Sequence, residues 1–544
     1  MQNNWEMNEQ LNWEECVQMA KSIPNKEHTT LLGVNDIQNR KEYITYEFDG
    51  KKTGCSGLTI ASKFNDDKKL QITKAPWLHH TITIGSSGCG KTQGVALNTA
   101  FNADGKISYI FTDPKGELTQ ASYNRLVEVY GKENVIVLNF MQPELSMATI
   151  NPLVPLARKW IQFSKNKDED GKNEVVTSVR KYLDTLFIAK SQKDPTWEET
   201  AKSFIFGLVM ALFEDLTLTK REAEKNKKIK TIPEQINIFN LSKIFYSFEW
   251  HDRRFKDNGF LTKRDKNSLS YQNTKSVIDN AQTTRANYMQ FVENYLKQYN
   301  SPKIQQISAG NTIDIESLSE KPKVLFLIYD LSDVSMREWV NTIVANILTV
   351  LLEKSHKMAK ALDVPVMFFC DEFPTLTPNN IYPNILATGR GSSIYMNIVV
   401  QSYNQLEARY PEDFKSMKEN CDFHVFLGTN DILTAREFID NLGKTTIADP
   451  EAFLANEFRC KEVPVVTEDY LMHKMKKGEA FIKVHNNDPI HSFFELYYTV
   501  PQYTSYDKKV FNQELVDLGN NVQNDYSAPW MLPDEDDEDD DSLF

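Results

Sequence analysis

A glycine-rich loop is the segment whose residue types most clearly specify chemistry. It consists of Gly85, Ser86, Ser87, Gly88, Cys89, Gly90, Lys91 and Thr92, and it satisfies the phosphate-loop pattern G-x-x-x-x-G-K-[ST] at every fixed position. The glycines allow a tight turn that directs backbone N–H groups at phosphates. Lys91 is expected to reach the β- and γ-phosphates, and the Thr92 hydroxyl is the expected Mg²⁺ ligand. The loop therefore predicts a site for a nucleoside triphosphate with Mg²⁺.

A pair of carboxylates is predicted to complete that site. The apolar run Val366–Cys370 ends in Asp371 and Glu372. We expect Asp371 to hold Mg²⁺ through its water shell and Glu372 to orient the attacking water. Two consecutive acids at this position are typical of motors that turn over ATP and are less expected of slow GTPase switches. The pair therefore predicts an ATP-hydrolysing enzyme with ATP and Mg²⁺ as its ligands.

Gln401 is a third polar residue at the end of an apolar run, 398–400. Its amide is suited to bond the γ-phosphate or the lytic water and so to report hydrolysis to the rest of the domain. A single glutamine at this position is equally suited to cap the end of a strand. The sequence leaves both interpretations open.

Short apolar runs that alternate with helical patterns are predicted to position these groups. The runs indicate strands at 81–84, 107–112, 135–140, 324–329, 364–370, 394–400, 423–427 and 480–484, after a small β-rich segment at 43–72. Such alternation predicts a parallel sheet that is covered on both faces. The predicted fold class is therefore α/β, of the P-loop NTPase type.

The alternation stops after Pro152, and residues 157–309 show the apolar spacings of three and four that are typical of helices. The simplest organisation is one α/β domain interrupted by an all-α insertion. The predicted segments are an N-terminal helical or irregular segment (1–41), the first part of the nucleotide-binding domain (42–156), the all-α insertion (157–309), the second part of the nucleotide-binding domain (310–510) and an acidic tail (511–544). The tail is predicted to be disordered because its like charges repel and it offers little apolar area.

Composition gives broader bounds. The 544 residues are 41% hydrophobic and 25% charged, which indicates a globular protein of two to four domains. The net charge is −13, but Asp534–Asp541 contribute eight of those negative charges and leave −5 for the rest. Composition therefore neither supports nor excludes binding to DNA.

Six scattered cysteines (Cys16, Cys55, Cys89, Cys370, Cys421 and Cys460) indicate reduced cytosolic thiols.

Several further blocks resemble, in order, the type IV coupling proteins of conjugation and type IV secretion, the TraG-like group. The blocks are DPKGEL from Asp113, NPL from Asn151, DEFPTL from Asp371, LATGRG from Leu386, QSYNQL from Gln401, and matches between 430 and 446. They extend over roughly residues 80–500. Because the blocks keep the family's order, a chance match is an inadequate explanation.

The resemblance implies a RecA-like nucleotide-binding domain with an inserted all-α domain, assembled as a homo-hexamer. It also implies ATP-driven transfer of DNA, expected to be a single strand with attached relaxase, into a type IV secretion channel after docking of the relaxosome. By matched position, Lys91, Thr92, Asp371, Glu372 and Gln401 take the roles given above. Arg390 stands where the family places an arginine that reaches the neighbouring subunit's nucleotide. The alternative for Arg390 is a surface residue that caps a helix.

Membrane placement departs from the family pattern. Most members begin with transmembrane helices, whereas the most apolar helical stretch here, 204–213, is about half of the ~20 residues that cross a bilayer. We therefore expect a subgroup without an N-terminal transmembrane anchor, or a separate anchoring membrane protein. The expected location is cytoplasmic, at the inner face of the plasma membrane through a partner and beside the channel ATPases.

Two other features allow more than one interpretation, and a third leads to a single prediction. The basic segments 220–230 and 253–266 either contact DNA phosphates or are solvated connectors. The tail, which ends in Leu543 and Phe544, is either a docking peptide or a solubilising extension. His79 and His80 adjoin the strand before the phosphate loop and are predicted to lie near the nucleotide, without a metal.

Two rival functions remain open at this point. The first is a chromosomal or phage-type RecA-like translocase of double-stranded DNA, which the DPKGEL block and the large insertion disfavour. The second is an adaptor that binds ATP and recruits protein substrates through the helical domain and the tail. ATP turnover that is unaffected by DNA would favour the adaptor.

Overall fold

The structure, a computed structural model, describes residues 29–49, 57–187, 196–218, 232–250, 255–257, 259–448 and 460–506. Several features discussed above lie outside these residues. They are Cys16, Cys55, the basic segment 220–230, Arg253, Arg254 and the acidic tail, together with most of the N-terminal segment. Among the described residues, no helix is both long enough and apolar enough to span a bilayer.

The strands in the described residues are short. They are β1 Ile44–Glu47, β2 Leu58–Phe64, β3 Leu70–Ala75, β4 Thr81–Ile84, β5 Ser108–Asp113, β6 Val135–Asn139, β7 Glu249–Trp250, β8 Phe255–Lys256, β9 Val324–Ile328, β10 Val366–Cys370, β11 Ile394–Val400, β12 Phe423–Phe426, β13 Lys444–Ala448, β14 Cys460–Pro464, β15 Glu479–Val484 and β16 Ile490–Phe493. Those predicted from the sequence are present, with ends that differ by at most two residues.

The α-helices in the same residues vary more in length. They are α1 Val34–Gln38, α2 Leu97–Phe101, α3 Glu117–Tyr130, α4 Leu153–Asn166, α5 Glu169–Leu186, α6 Thr196–Asp215, α7 Ile238–Tyr246, α8 Leu269–Ile278, α9 Gln282–Lys297, α10 Pro302–Ile307, α11 Val334–Met358, α12 Ile381–Thr388, α13 Tyr403–Arg409, α14 Phe414–Glu419, α15 Ile432–Leu442 and α16 Pro501–Thr504. Wider π-type turns are present at Lys91–Ala96 and Tyr470–Lys474.

The main sheet has nine strands in the order β16-β15-β12-β4-β11-β10-β5-β9-β6. β4 is parallel to β11 and β12, and β10 is parallel to β11 and β5. Every residue of β4 and β10 is buried, as expected of parallel strands covered on both faces. The predicted parallel sheet is therefore present. At one edge of the sheet, β15 pairs antiparallel with both β12 and β16.

The register aligns the carboxyl ends of the central strands. Val400 of β11 lies opposite Ile84 of β4, and Cys370 of β10 lies opposite both Ile398 and Thr112. The residues that follow β4, β10 and β11 therefore emerge at one edge of the sheet. These are the residues for which the sequence predicts chemistry.

The described residues divide into two compact units, one within 29–135, 318–325 and 354–506, the other within 136–317 and 326–353. In the first unit, β1, β3 and β2 form a separate antiparallel sheet, as expected of the β-rich segment at 43–72. β13 pairs with β14 in a ribbon that the sequence patterns did not reveal. The predicted domain boundaries differ from these units and stay a prediction.

In the second unit, α6 is a core helix, with residues 204–213 buried. The Trp160 ring of α4 packs edge-on against Phe213, with centroids 6.0 Å apart. Arg264 forms a bidentate pair with Asp215 at 3.0 and 2.8 Å, and both side chains are buried. Because its guanidinium is bonded to Asp215, Arg264 neither contacts DNA phosphates nor belongs to a solvated connector. Both interpretations of the basic segment 253–266 are therefore wrong for Arg264.

The region predicted to be almost wholly helical also contains a short β-ribbon. Strands β7 and β8 pair antiparallel, with Glu249 opposite Lys256. The Phe255 ring of β8 packs edge-on against Phe248, with centroids 5.3 Å apart. Aromatic residues favour extended backbone, and such a pair is too short for the helix-period pattern to reveal.

Candidate nucleotide-binding site

The order of three parallel strands brings the predicted site residues together. The phosphate loop follows β4, Asp371 and Glu372 follow β10, and Gln401 follows β11, which lies between the other two strands. The loop is attached to its neighbours through its backbone. Gly85 N donates to Val400 O at 3.1 Å, and Ser86 N donates to Gly428 O at 3.0 Å. The sheet therefore fixes the start of the loop beside the ends of β11 and β12.

Two glycines of the loop are required by steric limits. A Cβ on Gly85 would collide with Sγ of Cys89. Gly90 has φ 110°, a conformation that other L residues rarely adopt, and a Cβ there would lie 3.1 Å from Cδ2 of Leu496. The pattern G-x-x-x-x-G thus matches one position where a Cβ would meet Cys89 and one whose backbone conformation disfavours every residue except glycine.

The side chain of Lys91 lies inside the loop and bonds to its backbone. Its side chain is buried, and Nζ donates to the carbonyl oxygens of Gly85 at 2.7 Å and Ser86 at 3.2 Å. The same nitrogen lies 4.0 Å from Oε1 of Glu372. The ammonium is therefore held between the loop backbone and the second of the two carboxylates, which suits a cation that binds phosphate oxygens.

Asp371 and Thr92 provide adjacent oxygen atoms. Thr92 Oγ1 donates to Asp371 Oδ2 at 3.0 Å, while Asp371 Oδ1 accepts from the backbone N of Glu372 at 3.0 Å. Burial, followed by the negative charge of Glu372, raises the pKa of Asp371 to about 6. A hydroxyl and a carboxylate this close form an oxygen donor set of the kind that Mg²⁺ prefers, so the residues fit that ion.

Glu372 adopts an unusual backbone conformation. Its φ of 49° and ψ of 43° lie in the left-handed region, which costs a residue with a Cβ about 1–2 kcal/mol. Its carboxylate accepts from Gln401 Nε2 at 3.2 and 3.4 Å, and its carbonyl accepts from Thr375 Oγ1 at 2.7 Å. Such strain at a site is retained where the surroundings fix it. The carboxylate is thereby held between Gln401 and Lys91.

Arg390 lies at the opposite edge of the sheet from these groups. It precedes β11, and its Nη1 lies 3.2 Å from Oδ2 of Asp422, the residue before β12. Because β11 and β12 both run from this edge towards the phosphate loop, Arg390 is separated from the loop of its own chain by the length of a strand. Its side chain is 53% exposed. Its predicted action on a neighbouring subunit's nucleotide stays a prediction.

The prediction that His79 and His80 lie near the nucleotide is wrong. Both residues precede β4, whereas the phosphate loop follows it, so they are at the same distant edge as Arg390. His79 Nδ1 lies 2.5 Å from Oδ2 of Asp422, and His80 Nδ1 accepts from the backbone N of Met396 at 3.1 Å. Adjacency to a strand in the sequence does not tell which end of the strand carries the chemistry.

The buried His80 predicts a dependence of stability on pH. Burial, followed by the charge of Arg390, lowers the pKa of His80 to about 4. The unfolded chain therefore binds more protons than the folded chain between pH 6.5 and 4, and the free energy of unfolding falls as the pH falls through that window. The full shift corresponds to roughly 3 kcal/mol.

We expect His80→Asn to flatten this pH dependence, because an asparagine carbonyl can accept the Met396 N–H without titrating. Urea unfolding of wild type and variant at pH 7 and pH 5 measures the effect. Part of the slope should remain, since burial also lowers the pKa of His424, to about 3. An unchanged difference between the two pH values would contradict the assignment.

Two residues that support the site, Asp113 and Thr112, were not predicted from the sequence to do so. Asp113 is buried at the end of β5, and its Oδ2 accepts from Thr119 N and Oγ1 at 2.7 Å each, which anchors the start of α3. Thr112 Oγ1 donates to the carbonyl of Asp371 at 3.3 Å. The DPKGEL block that begins at Asp113 was the available signal, but it does not show which neighbours its residues contact.

Comparison with known proteins places the chain in a family. Residues 25–517 match the family described as Type IV secretory system Conjugative DNA transfer. The chain belongs to this family. The comparison with curated proteins gave no match.

Solved structures of a bacterial conjugative coupling protein share the fold. The bacterial conjugative coupling protein TrwBdeltaN70, in its unbound monoclinic form, is 13% identical with a TM-score of 0.55, over 87% of this chain and 96% of that chain. TrwB in complex with the non-hydrolysable ATP analogue ADPNP is 14% identical with a TM-score of 0.54, over 87% and 95%. TrwB in complex with ADP and Mg²⁺ is also 14% identical, with a TM-score of 0.54 over 87% and 94%. The predicted RecA-like α/β fold class is confirmed.

Proposed function

We propose that this protein is an ATP-driven coupling protein that recruits the relaxosome and pumps conjugative DNA, a single strand with attached relaxase, into a type IV secretion channel. The observation that carries the proposal is the convergence of Lys91, Thr92, Asp371, Glu372 and Gln401 on one sheet edge. The convergence occurs in a chain of the conjugative DNA transfer family, whose solved relative TrwB binds ADPNP, and ADP with Mg²⁺.

The proposed ligands are ATP and Mg²⁺. Backbone N–H groups of Ser87, Gly88, Cys89 and Gly90 would cradle the phosphates, as in other phosphate loops, whereas the N–H of Ser86 is bonded to Gly428 O. Thr92 and Asp371 would hold Mg²⁺, which supplies positive charge that offsets the negative charge of the phosphate oxygens when bound.

The chain's own groups supply the steps of hydrolysis. Lys91 Nζ exchanges its bonds to the loop carbonyls for bonds to phosphate oxygens. Glu372 accepts a hydrogen bond from the attacking water and polarises it, and Gln401 Nε2 holds the carboxylate in position at 3.2 Å. Because Gln401 lies at the end of β11, a change in its hydrogen bonds is the proposed route from hydrolysis to the rest of the domain.

The proposed active form is a homo-hexamer with the sites at subunit interfaces. Arg390 is exposed and lies a strand's length from its own phosphate loop, which favours action on a neighbouring nucleotide over action in the same chain. An arginine supplied in this way accelerates related NTPases by about 10³–10⁵-fold.

Residues 157–309 are proposed to form the all-α insertion between the two parts of the nucleotide-binding domain, 42–156 and 310–510. The proposed location is cytoplasmic, at the plasma membrane through an anchoring partner beside the channel ATPases.

The proposal predicts that DNA stimulates ATP hydrolysis. Phosphate release by the purified protein is measured without DNA, with a single-stranded oligonucleotide and with the corresponding duplex, at one fixed salt concentration because backbone contacts depend on salt. We expect the single strand to stimulate turnover more than the duplex does.

Each other outcome of this experiment favours a rival. Stimulation by duplex alone would favour a translocase of double-stranded DNA, the alternative in which no relaxase is carried. Turnover that neither DNA changes would favour an adaptor that binds ATP and recruits protein substrates. Lys91→Ala protein, prepared in parallel, shows how much of the measured turnover comes from contaminating ATPases.

A further inference from the structure

The order of the strands determines in which direction a bound nucleotide extends along the edge of the sheet. Glu372 and Gln401 lie on the β10 and β11 side of the phosphate loop, where the terminal phosphate is proposed to react. The opposite side of the loop is bordered by β12 and then by β15. The nucleoside of a triphosphate whose γ-phosphate meets Glu372 therefore extends towards β15. This inference rests on the proposed function.

Two segments approach the phosphate loop from that side. Cδ2 of Leu496 would lie 3.1 Å from a Cβ on Gly90, and the backbone N of Gly478, just before β15, would lie 4.0 Å from it. Phe494 N donates to Gly478 O at 2.7 Å, which joins the two segments. Leu496 would also lie 3.6 Å from a Cβ on Gly94, in the first helical turn after the loop. Gly478, Phe494 and Leu496 therefore border the nucleoside side of the loop.

An exposed aromatic ring and a lysine are placed at this border. The Tyr498 side chain is 56% exposed, two residues beyond Leu496. Nζ of Lys477 lies 5.4 Å from the centroid of its ring, within the range of a cation–π contact. The charge of Lys477 also reaches the loop: burial raises the pKa of the Cys89 thiol, and Lys477 is among the groups that oppose this increase. The proposed hydrolytic mechanism uses neither Tyr498 nor Lys477.

We propose that Tyr498, with Lys477 against its ring, is the binding site for the nucleotide base. The base stacks on the phenol ring, and the Lys477 contact restricts the orientations of that ring. Because every base presents a π-face, such stacking favours ligands that have a base over ligands that have only phosphates. It discriminates weakly between adenine and guanine. The class of ligand is therefore a nucleoside triphosphate, held at its phosphates by the loop and at its base by Tyr498.

The test compares ATP with inorganic tripolyphosphate, a ligand that has the phosphates without a base. Isothermal titration calorimetry with Mg²⁺ measures the dissociation constants for the wild type, Tyr498→Ala and Tyr498→Phe. We expect Tyr498→Ala to weaken ATP binding about tenfold and to leave tripolyphosphate binding unchanged. Tyr498→Phe, which keeps the ring, should restore ATP affinity to within about threefold of the wild type. Tyr246→Ala removes an exposed tyrosine of the second unit and serves as the matched control.

The other outcomes overturn the inference in distinguishable ways. If Tyr498→Ala binds ATP as tightly as the wild type, the base does not stack on this ring. If the variant loses ATP and tripolyphosphate affinity alike, Tyr498 supports the loop and not the base. A wild-type protein that binds neither ligand would overturn the proposed function as well, whereas wild-type binding of both with no effect of Tyr498→Ala would overturn this inference alone.

Discussion

Glu372→Gln is expected to lower the rate of ATP hydrolysis by about 10²–10⁴-fold, the usual contribution of a positioned general base. The carboxylate lies between Gln401 Nε2 and Lys91 Nζ, which is where the water that attacks the terminal phosphate is proposed to be polarised. A glutamine has nearly the same shape but cannot carry the negative charge. The variant should therefore keep ATP affinity and lose turnover.

Single-turnover and steady-state phosphate release measure the loss, and calorimetric titration with ATP shows whether binding remains. Glu412→Gln is a matched control, because Glu412 is an exposed glutamate of the same unit that the mechanism does not use. If Glu372→Gln hydrolysed ATP at the rate of the Glu412→Gln control, Glu372 would have no part in the chemical step. A variant that no longer bound ATP would assign Glu372 to the binding of nucleotide instead.

Much of the site could be predicted because its parts coincide with the strongest local signals. β4 and β11 have the predicted bounds, since buried parallel strands appear in the sequence as continuous apolar runs with polar residues at their ends. Each of these runs ends at a candidate residue or motif. The carboxyl ends of neighbouring parallel strands lie at the same edge of the sheet. Correct prediction of where these strands end therefore also predicts most of the residues that lie close together in the site.

The features that the sequence missed depend on contacts between distant segments. Lys477 and Tyr498 belong to segments that approach a loop about 400 positions earlier in the chain, and neither residue belongs to a recognisable motif. The misplacement of His79 and His80 has a related cause, since the end of β4 at which they lie is decided by strand direction. For Arg264, local composition indicated a solvated or DNA-binding charge, but the folded chain supplies Asp215 as a buried partner.

Lys91→Ala tests the same site from the phosphate side. Nζ of Lys91 lies inside the loop, 2.7 Å from Gly85 O and 4.0 Å from Glu372 Oε1, so no other described ammonium occupies its position. Removal of one electrostatic donor aimed at developing charge typically costs about 10²–10³ in rate. Affinity for ATP should also fall, because the lysine is proposed to contact the β- and γ-phosphates in the ground state.

Lys106→Ala is the matched control, since Lys106 is an exposed lysine of the same unit that the mechanism does not use. Its folding and turnover should match those of the wild type. Comparable thermal unfolding of the two variants would show that any loss in Lys91→Ala comes from the site and not from the fold.

The central claim is that a triphosphate binds in the loop from Gly85 to Thr92 and reacts beside Asp371 and Glu372. The rate of phosphate release by Lys91→Ala at saturating ATP tests this claim most directly. We predict a rate at least about 100-fold below that of the wild type and of Lys106→Ala. A Lys91→Ala protein that released phosphate as fast as the wild type would contradict the claim.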